Sequence, residues 1–193
     1  MKVAILKYNA GNIFSVQTAL QRLGYVPVLT DEVQRLDKVD RVIFPGVGEA
    51  RSAMAYLKQR GLDQWLRRTT KPVLGICLGL QLLCEYSEEN NTPGLGIFPV
   101  SVRRFPPHGK VPHMGWNTIQ RLKGRLFRGV PEPSYVYFVH SFYPEWHALA
   151  TAQTIYQVPF SAAMEQGNFF GVQFHPEKSG EVGEHILKNF LEL

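Results

Sequence analysis

The stretch Val73-Leu74-Gly75-Ile76-Cys77-Leu78-Gly79-Leu80-Gln81 decides the fold class of this chain. Residues 73–76 form a short apolar run typical of a buried strand, and helical spacing begins after Cys77. Gly75 and Gly79 flank the cysteine in the G-x-nucleophile-x-G pattern, in which a tight strand-to-helix turn presents a reactive side chain. Larger flanking side chains would collide with the strand and the helix. The stretch therefore predicts a strand–turn–helix unit with Cys77 at its turn.

The first half of the chain alternates short apolar runs with helical periodicity. Asn12 is the expected N-cap of the first helix, and Gly24 is its stop. Such alternation is typical of a parallel sheet covered on both faces. The predicted strands span residues 3–6, 26–29, 41–44 and 73–76, and the predicted helices span about 13–23, 49–60 and 80–86.

The second half reads as strands joined by turns, followed by one amphipathic helix. We therefore expect one domain, residues 1–193, with a doubly wound, mostly parallel α/β sheet, flanking helices and antiparallel strand additions. Functional sites of such sheets lie at the carboxyl ends of the strands. The predicted strands are 100–105, 117–119, 135–139, 148–154, 161–165 and 169–174, and the helix is 182–191.

Composition argues against several classes of protein. The net charge of +5 is scattered and forms no basic stripe interleaved with aromatic residues, so no nucleic-acid partner is expected. No apolar run approaches the ~18 residues that span a bilayer, and no signal peptide is evident, so we expect a cytoplasmic protein without a membrane partner. Cys77 and Cys84 are expected to be unbridged, and Cys84 to pack in the middle of a helix.

Cys77 is the candidate nucleophile. A thiol at a helix N-terminus is favoured as the thiolate by the helix dipole. The amide of Leu78, at the start of the same helix, can stabilise an oxyanion. The alternative is that Cys77 is a small buried apolar residue in a tight turn.

A cysteine nucleophile needs a base and a group that orients the base. His175 ends an apolar strand and begins a His-Pro-Glu sequence, in which Glu177 lies two residues on and can reach the imidazole. A zinc site of these two residues with His185 is the alternative, but no known ligand spacing is completed, so no metal is expected. His113 and His140 occupy positions that suit the wall of a site.

These motifs resemble those of the triad class of glutamine amidotransferases, whose members carry Gly-x-Cys-x-Gly-x-Gln and His-Pro-Glu. The resemblance implies hydrolysis of glutamine by Cys77, His175 and Glu177, without a cofactor. It also implies that the loop at residues 45–48 supplies a second oxyanion amide, although that loop alone could be a plain turn. The residues assigned by this resemblance are Gly46 and Val47 in the oxyanion loop and Gln81 and Glu89 at the substrate; Glu89 could instead belong to a solvated loop.

Within the class, the chain is most similar to the glutaminase subunits of imidazole glycerol phosphate synthase. The similarity is carried by residues 8–16, 111–117, 137–143 and 175–179. It departs at Lys7 and Asn9, where the family commonly has aspartate and glycine; this bears on the shape of the loop more than on catalysis.

This closer resemblance implies a separate partner, a (β/α)8-barrel cyclase subunit that receives ammonia and makes imidazole glycerol phosphate and an aminoimidazole carboxamide ribotide in histidine biosynthesis. Trp116, Tyr137 and Lys178 match positions that face the partner around the ammonia exit. Three alternatives remain: a glutaminase for another synthase, a catalytically silent regulatory module, and a cysteine peptidase or deglycase of similar fold.

Overall fold

The predicted strand–helix alternation is present in the computed structural model, which describes residues 1–8 and 13–193 of the chain. The expected N-cap, Asn12, lies outside the described residues. The strands are β1 (Val3–Leu6), β2 (Val28–Thr30), β3 (Arg41–Phe44), β4 (Val73–Ile76), β5 (Cys84–Ser87), β6 (Thr92–Pro93), β7 (Phe98–Arg104), β8 (His113–Ile119), β9 (Ser134–His140), β10 (Phe142–Pro144), β11 (Ala150–Tyr156), β12 (Val158–Gln166) and β13 (Phe169–Val172). The α-helices are α1 (Ile13–Arg22), α2 (Val33–Leu36), α3 (Ala50–Gln59), α4 (Leu62–Arg68), α5 (Leu78–Leu83) and α6 (Gly180–Leu191).

A seven-stranded sheet in the order β11-β12-β13-β4-β3-β1-β2 forms the centre of the fold. From β13 to β2 the neighbouring strands are parallel, whereas β11, β12 and β13 pair antiparallel. Every residue of β1, β4 and β13 is buried, as expected for parallel strands covered on both faces. The prediction of a mostly parallel sheet with antiparallel additions is confirmed.

Two apolar layers cover the faces of this sheet. One layer contains residues of α3, α4 and α5, such as Leu57, Trp65 and Leu83. The other contains residues of α1 and α6, such as Leu20 and Phe190. The core therefore lies on both sides of β4 and β13, and it fixes the positions of the turns that follow these two strands.

Two smaller sheets carry the second half of the chain. β10, β7, β5 and β6 form one, and β8 and β9 form a hairpin. The prediction that Cys84 lies mid-helix was wrong: α5 ends at Leu83, and Cys84 begins β5, paired with Phe98 of β7. Pairing with β7 overrides the helical periodicity of these residues. The prediction that Cys84 is a packing residue is confirmed, since it is fully buried and burial raises the pKa of its thiol.

Several predicted boundaries also shift. β2 begins at Val28 rather than residue 26, and Val26 is 82% exposed. β8 begins at His113 rather than residue 117, because it pairs with β9 from His140 onward. Within the described residues, no helix combines the length and apolar character needed to cross a membrane.

Candidate active site

Cys77 occupies a strained turn between β4 and α5. Its backbone angles are φ 52° and ψ −107°, outside the regions that non-glycine residues prefer, at a typical cost of about 1–3 kcal/mol. A Cβ atom on Gly79 would overlap the carbonyl oxygen of Phe44, and one on Gly75 would lie 2.8 Å from the amide nitrogen of Leu80. The flanking glycines are therefore required by close packing, as the motif predicts. The helix begins directly at Leu78 rather than at residue 80.

His175 and Glu177 form a buried pair beside this turn. Nδ1 of His175 lies 2.8 Å from Oε1 of Glu177, and both side chains are at most 2% exposed. Burial acts to lower the pKa of His175, but the charge of the Cys77 thiolate, with contacts to Cys77 and Glu177, raises it to about 10. Since the carboxylate accepts from Nδ1, Nε2 is the nitrogen that serves the thiol. Among the described residues, no other group is aligned to bond with Nε2.

The turn that carries His175 is bonded to strand β9. The backbone N–H of His175 donates to the carbonyl of Tyr137 at 2.9 Å. The Ser179 hydroxyl donates to the carbonyl of His175 at 2.7 Å and accepts from the amide of Tyr137 at 3.0 Å. Helix α6 packs so closely that a Cβ atom on Gly183 would overlap the carbonyl oxygen of Pro176. Ser179 thus fixes the turn that carries His175, a role that sequence reasoning missed because Tyr137 is 42 residues away.

The predicted oxyanion loop, residues 45–48, adjoins Cys77, and the neighbouring amide of Leu78 is not free in this conformation. The Leu78 N–H donates to the carbonyl of Gly46 at 3.3 Å. The hydroxyl of Tyr8 donates to the carbonyl of Pro45, and burial, with a smaller effect of Cys77, raises the pKa of Tyr8. A Cβ atom on Gly46 would overlap this hydroxyl. The predicted residues Gly46 and Leu78 therefore lie together, with the Leu78 amide engaged by the loop itself.

A cavity of about 250 Å³ opens above Cys77. Glu89, one of the two predicted substrate residues, lies at its wall, where its Oε2 accepts from the Ala50 amide at 2.8 Å. Burial raises the pKa of Glu89, and this hydrogen bond partly offsets the effect. A larger depression near Asp31 and Arg60, about 430 Å³, contains none of the predicted catalytic residues. The lining residues of the cavity are Val47, Gly48, Cys77, Leu78, Gln81, Glu89, Val139, His140, Ser141 and Phe142.

His140 lines this cavity and His113 supports it from behind. Nδ1 of His140 lies 2.7 Å from the carbonyl of Phe142, so that nitrogen carries the proton, and Nε2 accepts from Nδ1 of His113 at 3.0 Å. Burial lowers the pKa of His140 to about 3 and that of His113 to about 4. Both rings are therefore neutral near pH 7. The prediction that they suit a site wall matches their positions, although only His140 reaches the cavity.

The three residues predicted at the partner surface lie together. Trp116, on β8, is 57% exposed and meets the Tyr137 ring edge-on, with centroids 6.1 Å apart. The Lys178 ammonium lies 6.0 Å from the centroid of the Tyr137 ring. Tyr137 thus has its backbone bonded to the turn of His175, and its half-buried ring lies beside the exposed side chains of Trp116 and Lys178.

No metal site is found in the described part of the chain. Residues 1–8 and 13–193 contain no group of three or more histidine, cysteine, aspartate or glutamate side chains arranged to hold an ion. His185 instead lies on the exposed surface of α6, where its Nε2 is 3.0 Å from the carbonyl oxygen of Arg128. The groups that the structure brings together at Cys77 are its thiol, the imidazole of His175 and the carboxylate of Glu177.

Comparison with known proteins found relatives over the full length of the chain. The family model of glutamine amidotransferase class-I matches residues 8–193. The chain is 56% identical to the imidazole glycerol phosphate synthase subunit HisH of Bacteroides fragilis and 54% identical to that of Bacteroides thetaiotaomicron, in each case over the whole of both chains.

Solved structures share the fold at lower identity. A putative GMP synthase subunit from Thermoplasma acidophilum matches with a TM-score of 0.75 and 20% identity, covering 100% of this chain and 93% of the other. The PurLQS structure from Thermotoga maritima matches with a TM-score of 0.70 and 19% identity, covering 99% and 97%. These two similarities bear on the fold alone.

Proposed function

The chain belongs to the class-I glutamine amidotransferases and groups with the HisH subunits of imidazole glycerol phosphate synthase, and on this premise we propose that Cys77, His175 and Glu177 hydrolyse glutamine to glutamate and ammonia. The observation that carries the proposal is the buried His175–Glu177 pair beside a cysteine in a strained strand-to-helix turn. A strained turn and a buried ion pair have a free-energy cost that packing alone does not explain.

The reaction is acyl transfer. Sγ of Cys77 bonds to the side-chain carbonyl carbon of glutamine, and its proton resides on Nε2 of His175. As the tetrahedral intermediate collapses, the C–N bond breaks and His175 donates the proton to the departing ammonia. Water, activated by the now neutral imidazole, then cleaves the thioester and releases glutamate. Glu177 accepts from Nδ1 throughout and holds the ring in this orientation.

The oxyanion is proposed to bind the amides of Leu78 and of the Gly46–Val47 loop. For this, the Leu78 N–H must exchange its contact with the Gly46 carbonyl for the substrate oxygen. Rotation of the peptide between Gly46 and Val47 would both remove that carbonyl and present a second amide. Such a rotation changes ψ of Gly46 and φ of Val47, and Gly46 has no Cβ atom to restrict its part of the change.

Gln81 and Glu89 are proposed to bind the amino-acid end of the substrate. Both line the cavity over Cys77, and the half-buried carboxylate of Glu89 suits an ammonium group. The cavity is small and partly enclosed, which favours a substrate of the size of one amino acid over a peptide. This supports a glutaminase over the alternative of a cysteine peptidase.

Ammonia is proposed to pass to a (β/α)8-barrel cyclase subunit in a heterodimer. Ammonia is protonated in bulk water and then ceases to be a nucleophile, so delivery through an interface is favourable. The exposed cluster of Trp116, Tyr137 and Lys178 supports docking at this face, since aromatic residues are enriched at interfaces. The cyclase would join ammonia to a phosphorylated ribulosyl aminoimidazole carboxamide nucleotide.

A cytoplasmic location also belongs to the proposal, and the free Cys77 and Cys84 suit a reducing compartment.

A glutaminase assay with and without the cyclase and its nucleotide ligand tests this function. We expect little hydrolysis by the chain alone, a large increase in the complex, and none with Cys77→Ala. A glutamine-derived electrophile is expected to modify Cys77, whereas the matched variant Cys84→Ala is expected to react as the wild type does.

Two results would contradict the proposal. Modification at Cys84 instead of Cys77 would contradict the assignment of Cys77 as the nucleophile. Full glutaminase activity in isolation, or activation by the partner of another synthase instead of the cyclase, would remove the assignment to imidazole glycerol phosphate synthase.

A further inference from the structure

Gln173 is a buried polar residue that the catalytic scheme above does not use. It follows strand β13, precedes His175 by two residues and is fully buried. Its Nε2 lies 3.5 Å from Sγ of Cys77, within the reach of an N–H···S hydrogen bond. Its Oε1 accepts from Nε2 of Gln81 at 3.0 Å. The side chain therefore connects the nucleophile to a residue of the substrate cavity.

The direction of this chain of hydrogen bonds is fixed by a backbone carbonyl. Nε2 of Gln81 also donates to the carbonyl of Phe142 at 2.9 Å, and a carbonyl can only accept. The amide nitrogen of Gln81 must therefore point toward Phe142 and Gln173. Oε1 of Gln173 must therefore accept the hydrogen bond from Gln81, and the NH2 group of Gln173 then faces the sulfur of Cys77. Exchanging the oxygen and nitrogen of either amide would place like groups together.

We infer that Gln173 is a positioning residue that stabilises the thiolate of Cys77 and aims it, through Gln81, at the substrate cavity. The inference rests on the proposed glutaminase function. A donor on the sulfur favours the anion over the neutral thiol, because an N–H bonds more strongly to a charged acceptor. It also restricts rotation of Sγ about the Cα–Cβ bond, so the nucleophile is held before substrate binds.

A purely structural role would not require an amide here. The backbone N–H of Gln173 is already satisfied by the carbonyl of Ala162 at 2.8 Å, so the side chain is not needed for pairing in the sheet. Its neighbours Val172 and Phe174 are fully buried apolar residues. Burying an amide costs free energy unless it is bonded, and an apolar residue would fill the space without that cost.

The rate of alkylation of Cys77 by iodoacetamide, measured against pH in the full chain, tests the inference. In Gln173→Met, which keeps the length of the side chain but removes the donor, the midpoint pH of alkylation should rise by about one unit, or about tenfold less thiolate at a fixed pH. In the complex, kcat should fall about tenfold while KM for glutamine changes by less than about twofold. An unchanged alkylation midpoint in the folded variant would overturn the inference.

A second variant covers the case in which Gln173→Met does not fold. Gln81→Met removes the donor that orients Gln173, so the midpoint should rise by a smaller amount. The double variant should shift no further than Gln173→Met alone, since both changes break one network. If only Gln81→Met folds, an unchanged midpoint there overturns the inference.

Gln153→Met is the matched control. Gln153 is a buried glutamine of strand β11, two strands away from β13, and it pairs through its backbone. In Gln153→Met, the midpoint pH for alkylation of Cys77 should equal that of the wild type. Alkylation does not require glutamine, so these results stand apart from the wild-type glutaminase assay, which alone decides the proposed function.

Discussion

The carboxylate of Glu177 holds the proposed base, His175, with a proton on Nδ1. It accepts from Nδ1 at 2.8 Å, and with the Cys77 thiolate it opposes the effect of burial on the pKa of His175. In Glu177→Gln the ring loses this charge and the pKa of His175 falls. We expect kcat in the complex to fall about 100-fold without reaching zero, because the glutamine side chain still bonds to the ring but no longer stabilises the imidazolium. Steady-state kinetics in the complex provide the measurement.

The raised pKa of His175 decides in which direction the pH profile of activity moves in Glu177→Gln. The folded-state pKa of His175, about 10, lies above the ordinary value of 6.5, so the stabilisation from its charge is complete below about pH 6.5 and is lost as the pH rises through about 10. At high pH the imidazolium of His175 loses its proton, and activity falls on the basic limb of the pH profile. Because Glu177→Gln lowers the pKa of His175, this basic limb should move to lower pH. Glu181→Gln, an exposed glutamate of α6, is the control and should leave the profile unchanged. An unmoved basic limb in Glu177→Gln would contradict the role of the carboxylate.

At this scale, sequence reasoning finds residues whose partners are local. His175 and Glu177 are two residues apart, and the glycines on either side of Cys77 predict the tight turn from the local sequence. Gln173 and Tyr8 were not singled out, because their contacts join positions 96 and 37 residues away. Such contacts depend on the order of strands in the sheet, which no local pattern specifies.

The hydroxyl of Ser179 joins two elements at the start of a third. It stands at the N-cap of α6, yet its side chain makes no capping bond there and instead connects β9 with the turn after β13. In Ser179→Ala the Tyr137 amide loses its partner in a buried position. We expect the free energy of unfolding to fall by about 1–3 kcal/mol, with a lower kcat because the backbone of His175 is less fixed. Urea unfolding and kinetics in the complex measure the two effects.

Ser52→Ala provides the matched comparison. The Ser52 hydroxyl also donates to a backbone carbonyl, that of Glu49 at 3.1 Å, but on the exposed start of α3. Its removal should change the free energy of unfolding by less than about 0.5 kcal/mol and leave kcat unchanged. Equal effects of the two substitutions would show that the bridge of Ser179 has no special role.

The elements themselves were predictable where their own periodicity decides them. β1, β3 and β4 have the predicted boundaries, since β1 and β4 are short apolar runs buried on both faces and β3 is such a run after Arg41. β5 and β10 were not predicted. Both are short, and they exist because β7 lies between them and pairs with each. For such strands, tertiary pairing decides the conformation that the local sequence leaves open.

At the scale of the whole molecule, Tyr137 links the cluster of Trp116, Tyr137 and Lys178 to the proposed base, His175. Tyr137 presents its ring beside Trp116 and Lys178, and its backbone bonds to His175 and Ser179. A partner that packs on the ring would therefore contact the same residue whose backbone makes the hydrogen bonds to the turn of His175. The His-Pro-Glu motif predicted His175, and the family resemblance assigned Trp116, Tyr137 and Lys178, whereas the role of Ser179 was not predicted. Only the pairing of β8 with β9 brings Trp116 opposite Tyr137.

Trp116→Ala tests whether this face binds the cyclase subunit. A large aromatic residue that is 57% exposed in the free chain and buried in a complex contributes strongly to binding, so we expect affinity to fall by about 2 kcal/mol, or roughly 30-fold in Kd. Isothermal titration calorimetry with the cyclase subunit provides the measurement. Alkylation of Cys77 in the free variant should match the wild type, since Trp116 does not contact the cavity.

Trp146→Ala, at a tryptophan that is 42% exposed and is contacted by Arg121, is the control and should bind as the wild type does. Equal affinities for the wild type and Trp116→Ala would place the partner on another face of the molecule.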